Sequence, residues 1–297
     1  MKRIVLCFAV TILIVCYSWC QIENRAFALK FDDRIYRLDK NWGEVQGLAV
    51  SISSGSAVHT WCVNKDGDVF ELVPSQGWVK RNIYITGFGE IKAFDIGVGI
   101  GGEIWVAGEV IVNPLMRNVY TYENGAWKSC QGLITRVDVT IDGHAWAIDQ
   151  EGVIWENIEG QGWVLRGRES AIDIGCGSSV FITTENGELK KYVNGTWQIV
   201  QEFEGLGLAH RVDVSPDNTV MVVDEKGDLY SNWFSEIGGN AFYKENIDNV
   251  QDITVNSNAL GSCHTLGDVN CDNVVNILDA LLIAQYYTGI ITEFPCP

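Results

Sequence analysis

The chain has 297 residues, 38 of them acidic against 21 lysines and arginines, for a net charge of −17. So acidic a surface repels phosphate backbones and anionic lipid, which excludes nucleic acid and anionic membrane as partners. The length admits one large domain and a small appendage.

In chain order, Lys2-Arg3 precedes an apolar run from Ile4 to Cys16 and then Ser18-Trp-Cys20, with small residues at the −3 and −1 places. This is the pattern of a secretory signal peptide over 1–20. The run is shorter than the roughly 20 residues a membrane span needs, and Val15 and Trp19 disfavour lipid attachment at Cys16 or Cys20. The expectation is a protein that is secreted or held at the cell surface, with no transmembrane span after cleavage. Losing Lys2 and Arg3 moves the net charge to −19.

Tryptophans then recur at Trp42, Trp78, Trp127, Trp163 and Trp197, with Phe242 in the sixth place, at intervals of 36, 49, 36, 34 and 45 residues. That is the period of a propeller blade carrying two insertions. Within each unit, short apolar–polar alternations read as strands. Gly-containing turns such as Lys65-Asp-Gly67 and Gln150-Glu-Gly152 separate them, because glycine supplies the positive φ of a tight hairpin. The innermost strands are predicted at Ala49-Val-Ser-Ile52, Phe94-Asp-Ile-Gly97, Val137-Asp-Val139, Ile172-Asp-Ile-Gly175, Val212-Asp-Val214 and Gln251-Asp-Ile-Thr254.

The last innermost strand has no companions after it. The segments Arg25–Lys30, Arg34–Arg37 and Trp42 are strands with no innermost partner. Joining them completes a sixth blade and removes the open sheet edges. The fold class is therefore all-β, a six-bladed β-propeller over 21–256 whose last blade is closed by N- and C-terminal strands.

Asp95, Asp138, Asp173, Asp213 and Asp252 read as one equivalent place in five innermost strands, with Ser51 in the sixth. They could line the axis as a cation site, but repetition in every blade favours a structural role, since buried carboxylates persist only when hydrogen-bonded. The repeated tryptophans likewise read as packing against the next blade. Aromatics in the insertions (Tyr84, Phe88, Tyr122, Trp233, Phe234) are better ligand candidates. His59, His144, His210 and His264 are scattered, and no pair among the acids stands out as the carboxylate couple of a glycosidase. Asn194-Gly-Thr196 fits a glycosylation acceptor. After cleavage six cysteines remain: Cys62, Cys130, Cys176, Cys263, Cys271 and Cys296. Export permits disulfides, and six cysteines allow fifteen pairings. Cys263 with Cys296 is favoured.

A linker at 257–264 leads to a different texture at 265–297. Asp268, Asn270, Asp272, Asn276 and Asp279 fall at places 1, 3, 5, 9 and 12 of a calcium loop, with the Val274 carbonyl at place 7. Asn273 takes the turn position where glycine is usual. Ala280 to Gly289 then reads as a short apolar helix ended by glycine, so a small EF-hand-like loop–helix module with one calcium ion is expected.

Gly267-Asp-Val-Asn-Cys-Asp-Asn-Val-Val-Asn-Ile-Leu-Asp-Ala-Leu281 resembles a dockerin repeat, the module that plugs polysaccharide-degrading proteins into cohesin domains. Dockerins usually carry two such repeats; this chain has one. The repeat at 137–155, Val-Asp-Val-Thr-Ile-Asp-Gly-His-Ala-Trp-Ala-Ile-Asp-Gln-Glu-Gly-Val-Ile-Trp, resembles tectonin repeats, whose known members are lectins for lipopolysaccharide or modified bacterial glycans. The resemblances imply a secreted carbohydrate-binding propeller with a glycan or lipopolysaccharide ligand, docked through its calcium-binding tail, in one version to a cohesin-like protein. The alternatives are a hydrolase or lyase of a polysaccharide-degrading system, and a purely structural platform.

Overall fold

The computed structural model describes residues 26–38, 41–56, 59–112, 116–232 and 241–256. They form an all-β, six-bladed propeller within one compact unit, Asn24–Ser257. Six four-stranded antiparallel sheets follow one another, with a separate two-stranded hairpin, Ile83–Ile85 and Gly89–Ile91, between the first and second. We number the blades by their innermost strands: Ser51–Ser56, Ala93–Val98, Arg136–Val139, Ala171–Cys176, Ala209–Val214 and Val250–Val255. Apart from the 3-10 turn Gln201–Phe203, no helix occurs among the described residues. The EF-hand-like module lies outside them.

The expected closure is present. Val250–Val255 pairs antiparallel with Ala26–Lys30, with Val255 opposite Ala26 and Ile253 opposite Ala28. Arg34–Leu38 and Trp42–Leu48 complete blade 6. In blades 1, 3 and 5, a hairpin turn is fixed by a short side chain that caps the chain's own amides. Asn64 Oδ1 accepts from the Asp66 and Asp68 N–H groups, and Asp149 and Asp224 do the same in blades 3 and 5. These residues favour turns because their side-chain oxygens replace a backbone acceptor.

Core packing is divided into six clusters, one between each pair of neighbouring blades. Cys62 and Cys176 are buried within them, and Cys62, Cys130 and Cys176 are free thiols. The repeated tryptophans belong to this packing, but each faces the preceding blade rather than the next. The indole N–H groups of Trp78, Trp163 and Trp197 donate to the carbonyls of Gln46, Gln131 and Arg166 at 2.9, 2.7 and 3.1 Å. Glycine follows each acceptor for a steric reason. A Cβ on Gly132 or Gly167 would lie 2.9 or 2.5 Å from the indole nitrogen of Trp163 or Trp197.

Trp163→Phe keeps the ring contact and deletes the bond to Gln131. Urea unfolding should show a loss of about 1 kcal/mol or less, the net worth of one exposed hydrogen bond.

Candidate ligand cleft and axial carboxylates

The insertion between blades 1 and 2 builds a chemically mixed concavity. Its hairpin is pinned by Ile83 and Ile91, both buried in the cluster between those blades. Strand alternation then turns Tyr84 outward, where it is 67% exposed. Gly87 and Gly89, at φ 88° and 86°, make the turn at its tip. Between this hairpin and strand Ala126–Cys130 of blade 2 opens a cleft of about 610 Å³, lined by Tyr84, Tyr122, Trp127, Asn82, Lys80 and Lys128 among others.

One wall is an aromatic stack. Tyr122 and Trp127 lie 4.9 Å apart between ring centroids, and Trp61 backs both at 5.4 and 6.3 Å. The Trp127 indole donates to the Arg81 carbonyl at 2.9 Å. Tyr122 is thus a half-buried strand residue, not an insertion-loop aromatic as expected from the sequence.

Polar groups are held in place around the rim. Asp68 takes Lys80 at 2.8 Å, Lys92 at 2.9 Å and the Asn82 amide at 2.9 Å. These lysines hold its carboxyl well below the usual range. Arg81 binds Glu71 at 2.8 Å, and Lys128 binds Glu123. A cleft with flat apolar faces and a few oriented donors suits a small polar ligand with apolar ring faces. Phe88 faces a separate cleft on the other side of the hairpin, while Trp233 and Phe234 lie outside the described residues.

The axial aspartates do not share one place. Pairing with the second strands puts Asp252, Asp95 and Asp173 level with Ser51, Arg136 and Arg211. Two residues later on each strand, Asp138, Asp213 and Ser53 are level with Gly97, Gly175 and Thr254. The two arrangements alternate from blade to blade. In a blade of the first kind, glycine makes room for its neighbour: a Cβ on Gly97 or Gly175 would lie 2.6 or 2.7 Å from Cα of Asp138 or Asp213.

Each axial side chain accepts a backbone N–H from the following blade, and the bonds close a ring. Asp252 takes Ile52 N at 3.0 Å, Ser53 takes Val98 N at 3.0 Å, and Asp95 takes Val137 N at 2.8 Å. Asp138 takes Cys176 N at 2.6 Å, Asp173 takes Val212 N at 2.9 Å, and Asp213 takes Val255 N at 2.6 Å. The structural role is therefore the one observed. Among the described residues, no group of three or more His, Cys, Asp or Glu is arranged to hold a metal ion.

Two guanidiniums face five carboxylates here. Arg136 bonds Asp95 at 2.9 Å and lies 3.5 Å from Asp173; Arg211 approaches Asp252 at 3.9 Å. Burial opposes the Arg136 charge, but Asp95, Asp173 and Asp252 outweigh it and raise its pKa. Burial pushes Asp252 up to about 7 despite Arg136 and Arg211. Burial likewise lifts Asp213 to about 6, and burial followed by the Asp213 charge holds Asp138 well above the ordinary range.

Of the histidines, His144 Nδ1 lies 2.9 Å from Glu156, and burial lowers the pKa of His210. His59 is in blade 1, remote in sequence from both. His264 and the calcium-loop residues Asp268, Asn270, Asp272, Val274, Asn276 and Asp279 lie outside the described residues, as do Cys263, Cys271 and Cys296. The acceptor-type Asn194 is exposed in a hairpin turn at φ 50°.

Because Asp252 and Asp213 bind protons more tightly folded than unfolded, their contribution is full below pH ~4 and is lost as pH rises toward 6–7. The melting temperature should be higher at pH 5 than at pH 7.5, by roughly 5 °C. Asp252→Asn should shrink that gap in thermal melts.

The fold has known relatives. It is similar to a streptogramin B lyase at 10% identity, covering 78% of this chain and 88% of that one, with a TM-score of 0.51. It is also similar to the selenomethionine-substituted virginiamycin B lyase from Staphylococcus aureus (10% identity, 75% and 85% covered, TM-score 0.49). A third is YCF48 bound to D1 peptide (16% identity, 70% and 71% covered, TM-score 0.44). At 10% identity the likeness to the streptogramin B lyase shows fold alone. No curated protein matches the sequence. The tectonin domain family model matches residues 21–204. With more than half of its length matched and all six blades in place, the chain belongs to the tectonin domain family.

Proposed function

We propose that this protein is a carbohydrate-binding, lectin-like propeller that holds its ligand in the cleft beside the inserted hairpin. The observation that carries the reading is the pairing of an exposed ring, Tyr84, with the Tyr122–Trp127 wall across a cleft edged by Lys80, Asn82 and Lys128. Sugar rings present apolar C–H faces that stack on aromatics and hydroxyl edges that need oriented donors and acceptors, and the cleft offers both. Membership of the tectonin family fits a binding propeller of this kind. The axial carboxylates are committed to backbone amides, which leaves them structural.

On a glycan array, the full-length protein should bind a defined subset of sugars. Tyr84→Ala should weaken that binding ten-fold or more, with an unchanged melting temperature because the ring is exposed. Turnover of a polysaccharide by the purified protein would instead favour the hydrolase or lyase alternative.

The reading extends to the two ends of the chain. Residues 1–20 direct export, and 265–297 form a dockerin-like module in which Asp268, Asn270, Asp272, Asn276 and Asp279, with the Val274 carbonyl, take one calcium ion. The support is the register of oxygen-bearing residues along the loop. Calorimetric titration with calcium should show one site in the mature protein and none in an Asp268→Ala/Asp279→Ala variant. Equal binding by the variant would remove the module from the account.

A further inference from the structure

All six innermost strands start at the same end of the propeller, its lower face. Eight of the thirteen exposed large apolar side chains among the described residues stand there, too many at one end to be scattered surface positions. Leu48, Leu133, Leu206 and Leu208 lie in the segments that feed innermost strands. Phe94 is the second residue of one such strand. Phe31 turns out beside the start of another, its N–H bonded to the Asn249 carbonyl at 3.0 Å.

The remaining two, Phe88 and Val110, combine with Phe94 to line a cleft of about 600 Å³ floored by Ile91 and Ile111, both buried. This cleft lies on the opposite side of the hairpin from Tyr84. Its only charged lining residues are Glu90 and Glu109. Bulky apolar groups rarely cluster on one exposed face without a partner to cover them.

The charge on this face says what kind of partner. The hairpin turns that reach it carry exposed Asp66, Glu151, Glu185 and Glu225, and Asp32 and Asp248 join them. Backbone bonds fix two of these turns here: Glu185 N to the Ser170 carbonyl and Glu225 N to the Leu208 carbonyl. Basic groups share the face: Lys65 and Lys226 are exposed in the turns of Asp66 and Glu225, Arg34 pairs with Asp32 at 3.4 Å, Lys30 with Asp248 at 3.2 Å, and Lys92 with Asp68 and Glu90 at 2.9 and 3.0 Å. Carboxylates still outnumber these cations, and Glu151 and Glu185 add charge from turns with no lysine or arginine, so the face is apolar with a net acidic rim. A second copy would bring like charges together, and a bilayer would press the interleaved carboxylates against lipid at a desolvation cost.

We propose that the lower face, anchored at the Phe88–Phe94–Val110 cleft, docks a protein segment that presents bulky apolar side chains flanked by lysine or arginine. The apolar side chains fill the cleft, and the basic residues meet Glu109 and the acidic turns. Apolar anchors supply affinity, while the rim charges speed encounter and set orientation. This surface is separate from the Tyr84 cleft and does not depend on the glycan reading.

The test is panning of a random dodecapeptide display library against the immobilised full-length protein. Enriched peptides should combine two or more bulky apolar residues with net positive charge. A synthetic peptide of the enriched sequence should bind in solution, more weakly as salt rises. Phe94→Ser/Val110→Ser should reduce its affinity at least ten-fold and Tyr84→Ala should not, with thermal melts showing both variants folded. Enrichment of acidic or uncharged peptides, no enrichment, or equal binding by the double variant would overturn the proposal. So would attachment to phosphatidylcholine vesicles that the double substitution abolishes.

Discussion

The propeller depends on the ring of hydrogen bonds around its axis. Each innermost strand is the edge of its own sheet, and the edge faces the axis where five other edges converge. Backbone N–H groups there have no strand to pair with, and burying them without a partner would cost about 1–3 kcal/mol each. Asp252, Ser53, Asp95, Asp138, Asp173 and Asp213 each accept one such N–H from the next blade. One set of contacts therefore satisfies the edges and fixes the rotation between blades.

Those carboxylates bring charge into a space with little water, and the two-register arrangement manages it. Had all five stood at one level, those of blades 3, 4 and 5 would each have faced two carboxylate neighbours. Alternation places Arg136 and Arg211 level with three of them and moves Asp138 and Asp213 to the next level. The repeating unit of the axis is thus a pair of blades. Blades 2–3 and 4–5 follow the pattern strictly, and the closing pair departs from it with Ser51 and Ser53 in place of arginine and aspartate. Asp252, in that pair, has its nearest guanidinium at 3.9 Å, and burial pushes its pKa to about 7. Among the three carboxylates level with the guanidiniums, compensation is thinnest at ring closure.

Much of this was legible in the sequence. Alternation, glycine turns and the tryptophan spacing are local signals, and they sufficed for six blades and for the closure by both termini. The two registers of the aspartates were also written locally. Asp95-Ile-Gly97 and Asp173-Ile-Gly175 alternate with Arg136-Val-Asp138 and Arg211-Val-Asp213, and aligning on the aspartate alone hides this. The direction of each tryptophan was not legible, because it depends on how far one blade turns against the next. Tyr122 looked like an insertion residue because the long hairpin of blade 2 displaces the count; in the fold it is a strand residue leaning on Trp127. The apolar lower face was invisible for a different reason: its members come from loops far apart in the chain and meet only when the ring closes.

Function in a repeat fold is most readily sought where the repeat breaks, since residues common to every blade are used up in holding it together. The junction of blades 1 and 2 is such a break. At the other tryptophan contacts, glycine follows the acceptor carbonyl: Gly47, Gly132 and Gly167. After Arg81, which accepts from Trp127, stands Asn82. The chain does not pass directly to the next innermost strand there but leaves into the hairpin 83–91. Asn82 ties that departure down, donating to Asp68 and accepting from Val69 N at 3.2 Å. A single insertion, pinned by two isoleucines, thereby raises one wall of the aromatic cleft on one side and one wall of the apolar cleft on the other. Where three junctions close directly on a tryptophan–glycine contact, this one opens into two faces that differ in chemistry.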